Sequence, residues 1–138
     1  MPVRIAFGSD EASAVTAALQ SHLREAGHDV VLARPEGDPW PDVGRAVGEA
    51  VAGGEADVGV VCCWTGTGVS MAANKVAGVR AALCTDAETA SGARRWNDAN
   101  VLALGLRLTT EALAAEIADA FLATAADDDE RENVAKLR

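Results

Sequence analysis

The sequence predicts a single α/β domain in which a five-stranded parallel sheet lies between two layers of helices. Three observations support this fold class. Apolar runs of strand length alternate with segments of helical period along the 138 residues. Several of these runs lack apolar–polar alternation, which indicates strands that are buried on both faces. The regular succession of strand and helix implies right-handed crossovers and therefore a parallel sheet.

Five apolar runs are predicted to form the strands. They are VRIAF (3–7), DVVLA (29–33), DVGVVCC (57–63), VRAALC (79–84) and NVLALG (100–105). The third run is the most apolar of the five. No internal repeat or low-complexity linker interrupts the order, so we expect one domain over residues 1–138.

Segments of helical period separate the strands. The first runs from Ala14 to Gly27, where the glycine ends it, and its inward stripe consists of Val15, Leu19, Leu23 and Ala26. Further helices are predicted around 43–51, over GVSMAANK (68–75), over 87–96, over 109–123 and over about 128–137.

Composition and charge exclude several classes of protein. The formal net charge of −9 argues against binding to nucleic acid or to an anionic membrane. The longest apolar runs are too short to cross a membrane, and MPVRIAFGSD is typical of a first strand rather than of a signal peptide. The cysteines Cys62, Cys63 and Cys84 are odd in number and two are neighbours, which favours a reduced cytoplasm over a disulfide framework. No zinc-type spacing occurs, and we expect no metal and no cofactor.

In parallel α/β sheets, ligands bind beyond the carboxyl ends of the strands. This rule selects four places in the sequence: residues 8–11, 62–68, 84–86 and 105–107. His22 and His28 lie outside all four places, so no histidine is expected at the site.

The second place holds the segment TGTG (65–68) between the third strand and its helix. Glycines let main-chain N–H groups approach a ligand, and a helix N-terminus favours negative charge. The segment therefore predicts a pocket for a phosphate or for an oxyanion that forms during a reaction. Alternatively, the glycines serve only tight packing.

Cys63 directly precedes this turn. A thiol near helix-terminal N–H groups can act as a base or a nucleophile, because its pKa is lowered there. The alternative is a small apolar residue that ends a buried strand. Cys62 and Cys84 are interpreted as structural.

Asp10 follows the first strand at the same edge of the sheet. A carboxylate there can hold sugar hydroxyls or transfer a proton, and it can also be the N-cap of the first helix. Glu11 is ambiguous in the same way. Arg107 follows the fifth strand and is a candidate anion clamp.

Three segments together resemble the type B ribose-5-phosphate isomerases and the related galactose-6-phosphate isomerase subunits. The segments are IAFGSD (5–10), DVGVVCCWTGTGVSMAANKVAGVRAAL (57–83) and NDANVLALGLR (97–107), and the resemblance extends over 3–121. It implies a Rossmann-like three-layer sandwich and a homodimer, in some members a tetramer, with sites shared between subunits. It also implies aldose–ketose isomerisation of a phosphorylated sugar through an enediolate, without a metal.

The resemblance also implies roles for single residues. Cys63 matches the cysteine that moves a proton between C1 and C2, Thr65 matches the threonine beside it, and Asp10 matches the acid that assists ring opening and binds hydroxyls. The other matches are the main chain of Gly66, Thr67 and Gly68, which would hold the enediolate, and the ligand-binding residues Asn97 and Arg107, with Arg107 at the phosphate.

Several positions depart from the family pattern. Glu11 and Trp96 stand where the family has histidines, and Trp64 stands where a glycine follows the cysteine. The C-terminal helix, over about 128–137, is expected to pack on a partner subunit. There the family brings two arginines to the partner's phosphate, whereas Asp129 and Asn133 occupy those positions here.

The departures leave three functions open. The first is a sugar isomerase with altered substrate preference, in which Trp64, Trp96 and Glu11 line a pocket for an uncharged sugar or a sugar phosphate. The second is a non-catalytic sugar-binding or accessory subunit on the same scaffold. The third is another isomerase or lyase step that keeps the enediolate. The two tryptophans alternatively fill space or pack in a dimer interface.

Overall fold

The computed structural model of the chain describes residues 2–137. The strands are β1 (Arg4–Ser9), β2 (Asp29–Leu32), β3 (Val58–Cys63), β4 (Ala81–Leu83) and β5 (Val101–Gly105). The helices are α1 (Ala14–Glu25), α2 (Trp40–Ala52), α3 (Thr67–Asn74), α4 (Ala87–Asn97), α5 (Glu111–Ala123) and α6 (Arg131–Val134), which follows a 3-10 turn at Asp128–Glu130. The predicted domain includes Met1 and Arg138, which lie outside the described residues.

The five strands form one parallel sheet in the order β2-β1-β3-β5-β4. Helices cover both of its faces, so the predicted fold class is confirmed. One apolar layer lies between the sheet and α1, α4 and α5, and its largest members include Phe7, Leu19, Leu102, Ile117 and Phe121. The other layer lies under α2 and α3.

The ends of several elements differ from the sequence prediction. Helix α1 stops at Glu25, so Ala26 is its C-cap and is exposed instead of facing the core. Helix α2 begins at Trp40, before the predicted apolar stripe, because a proline in the first turn fits a helix start. The predicted C-terminal helix is reduced to the 3-10 turn and the four residues of α6.

Among residues 2–137, no helix combines the length and the apolar character that a membrane crossing requires. The same residues contain no group of three or more His, Cys, Asp or Glu side chains arranged to hold a metal ion.

Candidate active site

The carboxyl ends of β1 and β3 meet where the strand order changes direction. From β1 the chain continues to β2 on one side, while β3 and the later strands lie on the other side. Ser9 at the end of β1 is paired with Cys62, and the Asp10 N–H donates to the Cys62 carbonyl at 3.3 Å. This is the position at which open α/β sheets form a ligand crevice. It lies at the carboxyl edge of the sheet, as the sequence predicted.

The turn between β3 and α3 lies directly against the end of β5. Gly66 has a φ of +79°, and a Cβ atom there would lie 2.5 Å from Leu83 Cδ1 and 2.9 Å from the Gly105 nitrogen. A Cβ atom on Gly105 would in turn lie 2.6 Å from the Thr65 carbonyl oxygen. Only glycine fits this backbone conformation and this contact without strain, so packing fixes the path of the turn.

Main-chain hydrogen bonds join the same turn to the loop after β5. The Leu106 N–H donates to the Cys63 carbonyl and the Arg107 N–H donates to the Trp64 carbonyl, each at 2.9 Å. Arg107 is therefore held beside the turn, and its side chain is exposed. The Trp64 side chain is 57% exposed and faces solvent at the same edge.

The N-terminus of α3 provides main-chain donors at this edge. The helix begins at Thr67 after the N-cap Gly66, and no side chain caps it. The Ser70 N–H donates to the Gly66 carbonyl at 3.2 Å, whereas the earlier N–H groups of a helix have no acceptor within it. The hydroxyls of Thr65 and Thr67 are hydrogen-bonded to each other at 2.8 Å. These groups can receive a developing negative charge.

The two neighbouring cysteines enter opposite layers. Cys62 belongs to the core under α1 and α5, and Cys63 to the core under α2 and α3, because side chains alternate along a strand. Burial raises the pKa of the Cys62 thiol far above its ordinary value, and burial raises that of Cys84 to about 11. Both thiols therefore stay protonated at neutral pH. Cys63 is buried but keeps 5% of its surface accessible beside the turn.

Asp10 holds a carboxylate oxygen that has no protein partner. Its Oδ1 atom is buried and accepts no hydrogen bond within the described residues. Burial raises the pKa of Asp10, and a main-chain hydrogen bond opposes this effect. The alternative role as N-cap of α1 is wrong, because Ser13 caps that helix in a capping box with Thr16.

Glu11 is exposed, and its main chain is engaged by Ser9. The Ser9 hydroxyl donates to the Glu11 carbonyl at 2.7 Å and accepts from the Glu11 N–H at 3.3 Å.

The third place that the sequence selected, residues 84–86, has a structural role. Asp86 caps α4 by accepting a hydrogen bond from the Thr89 N–H at 2.6 Å. This hydrogen bond lowers the pKa of Asp86.

Sequence reasoning missed Glu36, in the loop between β2 and α2, and Trp40, the first residue of α2. The Trp40 ring lies against Gly68, where a Cβ atom would be 3.0 Å from ring atoms Cδ2 and Cε3. Glu36 has a buried Oε2 atom without a partner among the described residues. The rule of the carboxyl ends applies to β2 as to the other strands and is the signal that indicates this loop.

Trp96 and Asn97 lie at the opposite edge of the sheet. Helix α4 starts after the carboxyl end of β4 and returns the chain to the start of β5, so its last residues lie at the amino edge. A helix of 11 residues spans about 16 Å at 1.5 Å per residue. In addition, α4 packs in the layer opposite to Cys63. One chain does not bring Trp96 and Asn97 to the turn.

The C-terminal segment packs against the same end of α4. The Asp127 N–H donates to the Arg95 carbonyl at 2.8 Å, and Arg131 forms an ion pair with Asp128. The Asn133 side-chain amide donates to Glu130 at 3.0 Å. The segment therefore forms one surface with the last turn of α4.

The two histidines lie away from the crevice. The His22 ring is 2.7 Å from an Asp119 carboxylate oxygen, in a contact between α1 and α5. The His28 ring accepts a hydrogen bond from the Val3 N–H at 3.1 Å, just before β1. Acid–base chemistry in the crevice therefore depends on thiol and carboxyl groups.

The fold and the geometry define a doubly wound α/β protein with a candidate site at the carboxyl edge of its parallel sheet. The family model described as Ribose/Galactose Isomerase matches residues 5–137. Ribose-5-phosphate isomerase B of Escherichia coli is 42% identical over 123 residues, which are 86% of this chain and 83% of that protein. The chain belongs to the ribose/galactose isomerase family.

Two further proteins support this assignment. D-erythrulose-4-phosphate isomerase of Pectobacterium atrosepticum is 37% identical over 123 residues, which are 86% of this chain and 81% of that protein. The structure of ribose-5-phosphate isomerase B from Clostridium thermocellum superposes with a TM-score of 0.91 at 38% identity. That match covers 96% of this chain and 93% of the other. The predicted family resemblance is thereby confirmed.

Proposed function

We propose that this protein is an aldose–ketose isomerase that acts on a sugar phosphate through an enediolate. The observation that carries the proposal is the position of the Cys63 thiol directly before an uncapped helix N-terminus, at the crevice between β1 and β3. Removal of a proton next to a carbonyl requires a base and, beside it, donors for the oxygen that becomes negative. One turn provides both.

The Cys63 thiolate takes the proton from C2 of the aldose. The electrons of the C–H bond form the C1–C2 double bond, and the carbonyl electrons move to O1. The main-chain N–H groups of residues 66–68 stabilise this enediolate. Cys63 then returns the proton to C1 while the O2 proton moves to O1, with Thr65 next to the path, and the ketose forms. Asp10 accepts hydrogen bonds from substrate hydroxyls.

A second copy of the chain completes the site in this proposal. Trp96 and Asn97 can reach the turn of another subunit, although they cannot reach their own, and the C-terminal segment beside them would pack on that subunit. Arg107 is the arginine held beside the turn, and we assign the phosphate to it. The assembly is a homodimer or a tetramer of such pairs. A reducing cytoplasm suits the three free thiols.

The absence of histidine from the crevice bears on substrate preference. A cyclic sugar must be opened before isomerisation, which requires an acid and a base at the ring. A tetrose 4-phosphate cannot close a five-membered ring, because its O4 carries the phosphate. We therefore propose a preference for sugar phosphates that arrive in the open-chain form, with ring opening of longer sugars left to Asp10 and its neighbours.

The test follows exchange of the substrate C2 proton with deuterated water by NMR. The panel contains erythrose 4-phosphate, ribose 5-phosphate, galactose 6-phosphate and free ribose. Cys63→Ala should lower the exchange rate at least about 10³-fold while the fold is kept, because no other base replaces the thiol. Cys84→Ala, which removes a buried thiol elsewhere, is the matched control and should keep the parental rate.

Two results would contradict the proposal. Parental exchange in Cys63→Ala would remove the thiol from the mechanism. Binding of a sugar phosphate without exchange for any panel member would favour a non-catalytic accessory subunit. A third result, a higher exchange rate with ribose 5-phosphate than with erythrose 4-phosphate, would contradict only the proposed preference for open-chain substrates.

A further inference from the structure

Glu36 lies in the loop between β2 and α2, which crosses the carboxyl end of β1. The Gly37 N–H donates to the Ser9 carbonyl at 3.2 Å, and the Ala33 N–H donates to the Phe7 carbonyl at 2.9 Å. Two main-chain hydrogen bonds thus hold the loop against β1. Glu36 lies between these anchors, at the carboxyl end of β1.

The Glu36 side chain is partly buried and carries an unused acceptor. Its Oε2 atom and the Asp10 Oδ1 atom are the two buried side-chain nitrogen or oxygen atoms without a partner in residues 2–137. Such atoms are rare, because a buried acceptor that lost its water without gaining a partner destabilises the protein. The positions of both atoms at one edge point to a ligand that donates hydrogen bonds there.

Glu36 and Asp10 lie near the same thiol. Burial is the main cause of the raised pKa of the Cys62 thiol, and Cys63, Glu36 and Asp10 raise it further. Both carboxylates are thus close enough to act on one thiol near the end of β3. Glu36 comes from the loop after β2 and Asp10 from the end of β1, so two different elements bring a carboxylate to this end of the sheet.

We propose that Glu36 is a substrate-binding residue, which accepts hydrogen bonds from sugar hydroxyls beside Asp10 and keeps anionic groups away from this end of the crevice. The proposal rests on the proposed isomerase function. A carboxylate is an acceptor only, so it pairs with hydroxyls and repels a phosphate dianion. The phosphate is therefore directed away from Glu36, toward Arg107 and the second subunit. Glu36 thus sets the direction in which the sugar enters the crevice.

The test compares Glu36→Gln with Glu25→Gln. Glu25 is an exposed glutamate at the C-terminal end of α1, the end that lies away from the crevice, so the change is a matched control. Binding of erythrose 4-phosphate and of ribose 5-phosphate is measured by calorimetry in the Cys63→Ala background, and kcat and KM in the active enzyme. Glu36→Gln should raise Kd and KM about tenfold or more, because a charge-assisted acceptor is lost. The kcat should stay within about threefold, since Glu36 does not move the reacting proton.

The Tm of the unliganded protein separates binding from structure. Because the Glu36 oxygen has no hydrogen-bond partner among the described residues, Glu36→Gln should leave the Tm unchanged or raise it. A lower Tm with parental Kd would assign Glu36 to the fold and overturn the proposal. If the parent turns over sugar phosphates and Glu36→Gln keeps its Kd, only the Glu36 role fails. If no panel sugar binds or exchanges in the parent, the proposed function itself fails.

Discussion

Two side chains at the crevice each bury a hydrogen-bond acceptor that is left without a partner among the described residues. Asp10 and Glu36 each bury a carboxylate oxygen for which residues 2–137 provide no hydrogen-bond donor. Natural proteins accept such costs mainly where function requires them, because most buried polar atoms are hydrogen-bonded. At the residue scale, the candidate site is therefore recognised by unsatisfied acceptors as much as by Cys63.

The effect of pH on Asp10 can be predicted with its sign. Its pKa is raised in the folded protein, so the folded state binds this proton more tightly than the unfolded state. The charged form of Asp10 therefore lowers the free energy of unfolding at pH values above the raised pKa. This destabilisation disappears as pH falls from the raised pKa to the ordinary Asp pKa. Asp10→Asn should raise the free energy of unfolding at neutral pH by on the order of 1 kcal/mol, while kcat/KM falls about 10²-fold or more.

Urea denaturation at pH values between neutral and about 4 measures this change. Asp86→Asn is the control of opposite sign, because the Thr89 N–H lowers the pKa of Asp86. Its stabilising contribution is present above the ordinary Asp pKa and is lost only as pH falls through the lowered value, so Asp86→Asn should be destabilising over this whole range of pH. Asp10→Asn and Asp86→Asn shifting stability in the same direction would contradict the account.

Sequence reasoning singled out some residues of the candidate site and missed others for a physical reason. Cys63 and Asp10 follow directly from strand ends, and strand ends are visible as the limits of apolar runs. Glu36 and Trp40 depend on how a loop folds back over a neighbouring strand, through contacts such as Gly37 N–H to Ser9 O. No local pattern in the loop encodes that tertiary contact.

At the scale of elements, the turn between β3 and α3 is fixed by its neighbours rather than by its own hydrogen bonds. The Gly66 and Gly105 backbones lie so close that neither tolerates a Cβ atom. The main chain after β5 donates to the carbonyls of residues 63 and 64. If the turn binds an anion as proposed, a backbone fixed in this way needs no reorganisation when charge develops, which is the condition for electrostatic catalysis.

A pair of glycine substitutions isolates this packing. Gly66 and Gly54 have φ values of +79° and +82°, so Ala costs about 1 kcal/mol of conformational strain at either position. Only Gly66 also meets atoms at 2.5 and 2.9 Å, whereas nothing lies within 4 Å of a Cβ atom on Gly54. Gly66→Ala should therefore reduce the free energy of unfolding by about 1–3 kcal/mol more than Gly54→Ala.

Chemical denaturation of both variants gives the difference directly. Gly66→Ala should also lose most isomerase activity in its folded fraction, because the turn must move away from β5. Equal destabilisation of the two variants would mean that the turn yields easily and is not a preformed anion site.

The order of strands and helices was predictable, but their ends were less so. Apolar runs define all five strands, including the edge strands β2 and β4, which are only partly buried. Helix α2 starts three residues before its apolar stripe, and β4 keeps only three residues of a predicted run of six, as an edge strand with one neighbour. The ends of helices and strands depend on caps and on neighbouring strands, and the periodicity of apolar residues carries no information about either.

At the scale of the whole molecule, the site residues that the resemblance implies lie at two edges of one sheet. Asp10, Cys63 and Arg107 lie at the carboxyl edge, whereas Trp96 and Asn97 lie at the amino edge. This separation follows from the α/β topology, because a helix that ends before a strand must end at the amino edge. A symmetric dimer can join the two edges twice, since each partner gives what it receives.

Co-expression of two differently tagged variants tests this arrangement. Cys63→Ala and Asn97→Ala should each be nearly inactive as homodimers. If each site of the heterodimer is built from both chains, one site carries both changes and the other site carries neither. The purified heterodimer should then show about half of the parental activity. The control heterodimer of Cys63→Ala with Asp10→Asn, both at the carboxyl edge, should stay as inactive as its parents. If each chain formed a complete site alone, every site of the first heterodimer would carry a defect, and its activity would be as low as that of the control.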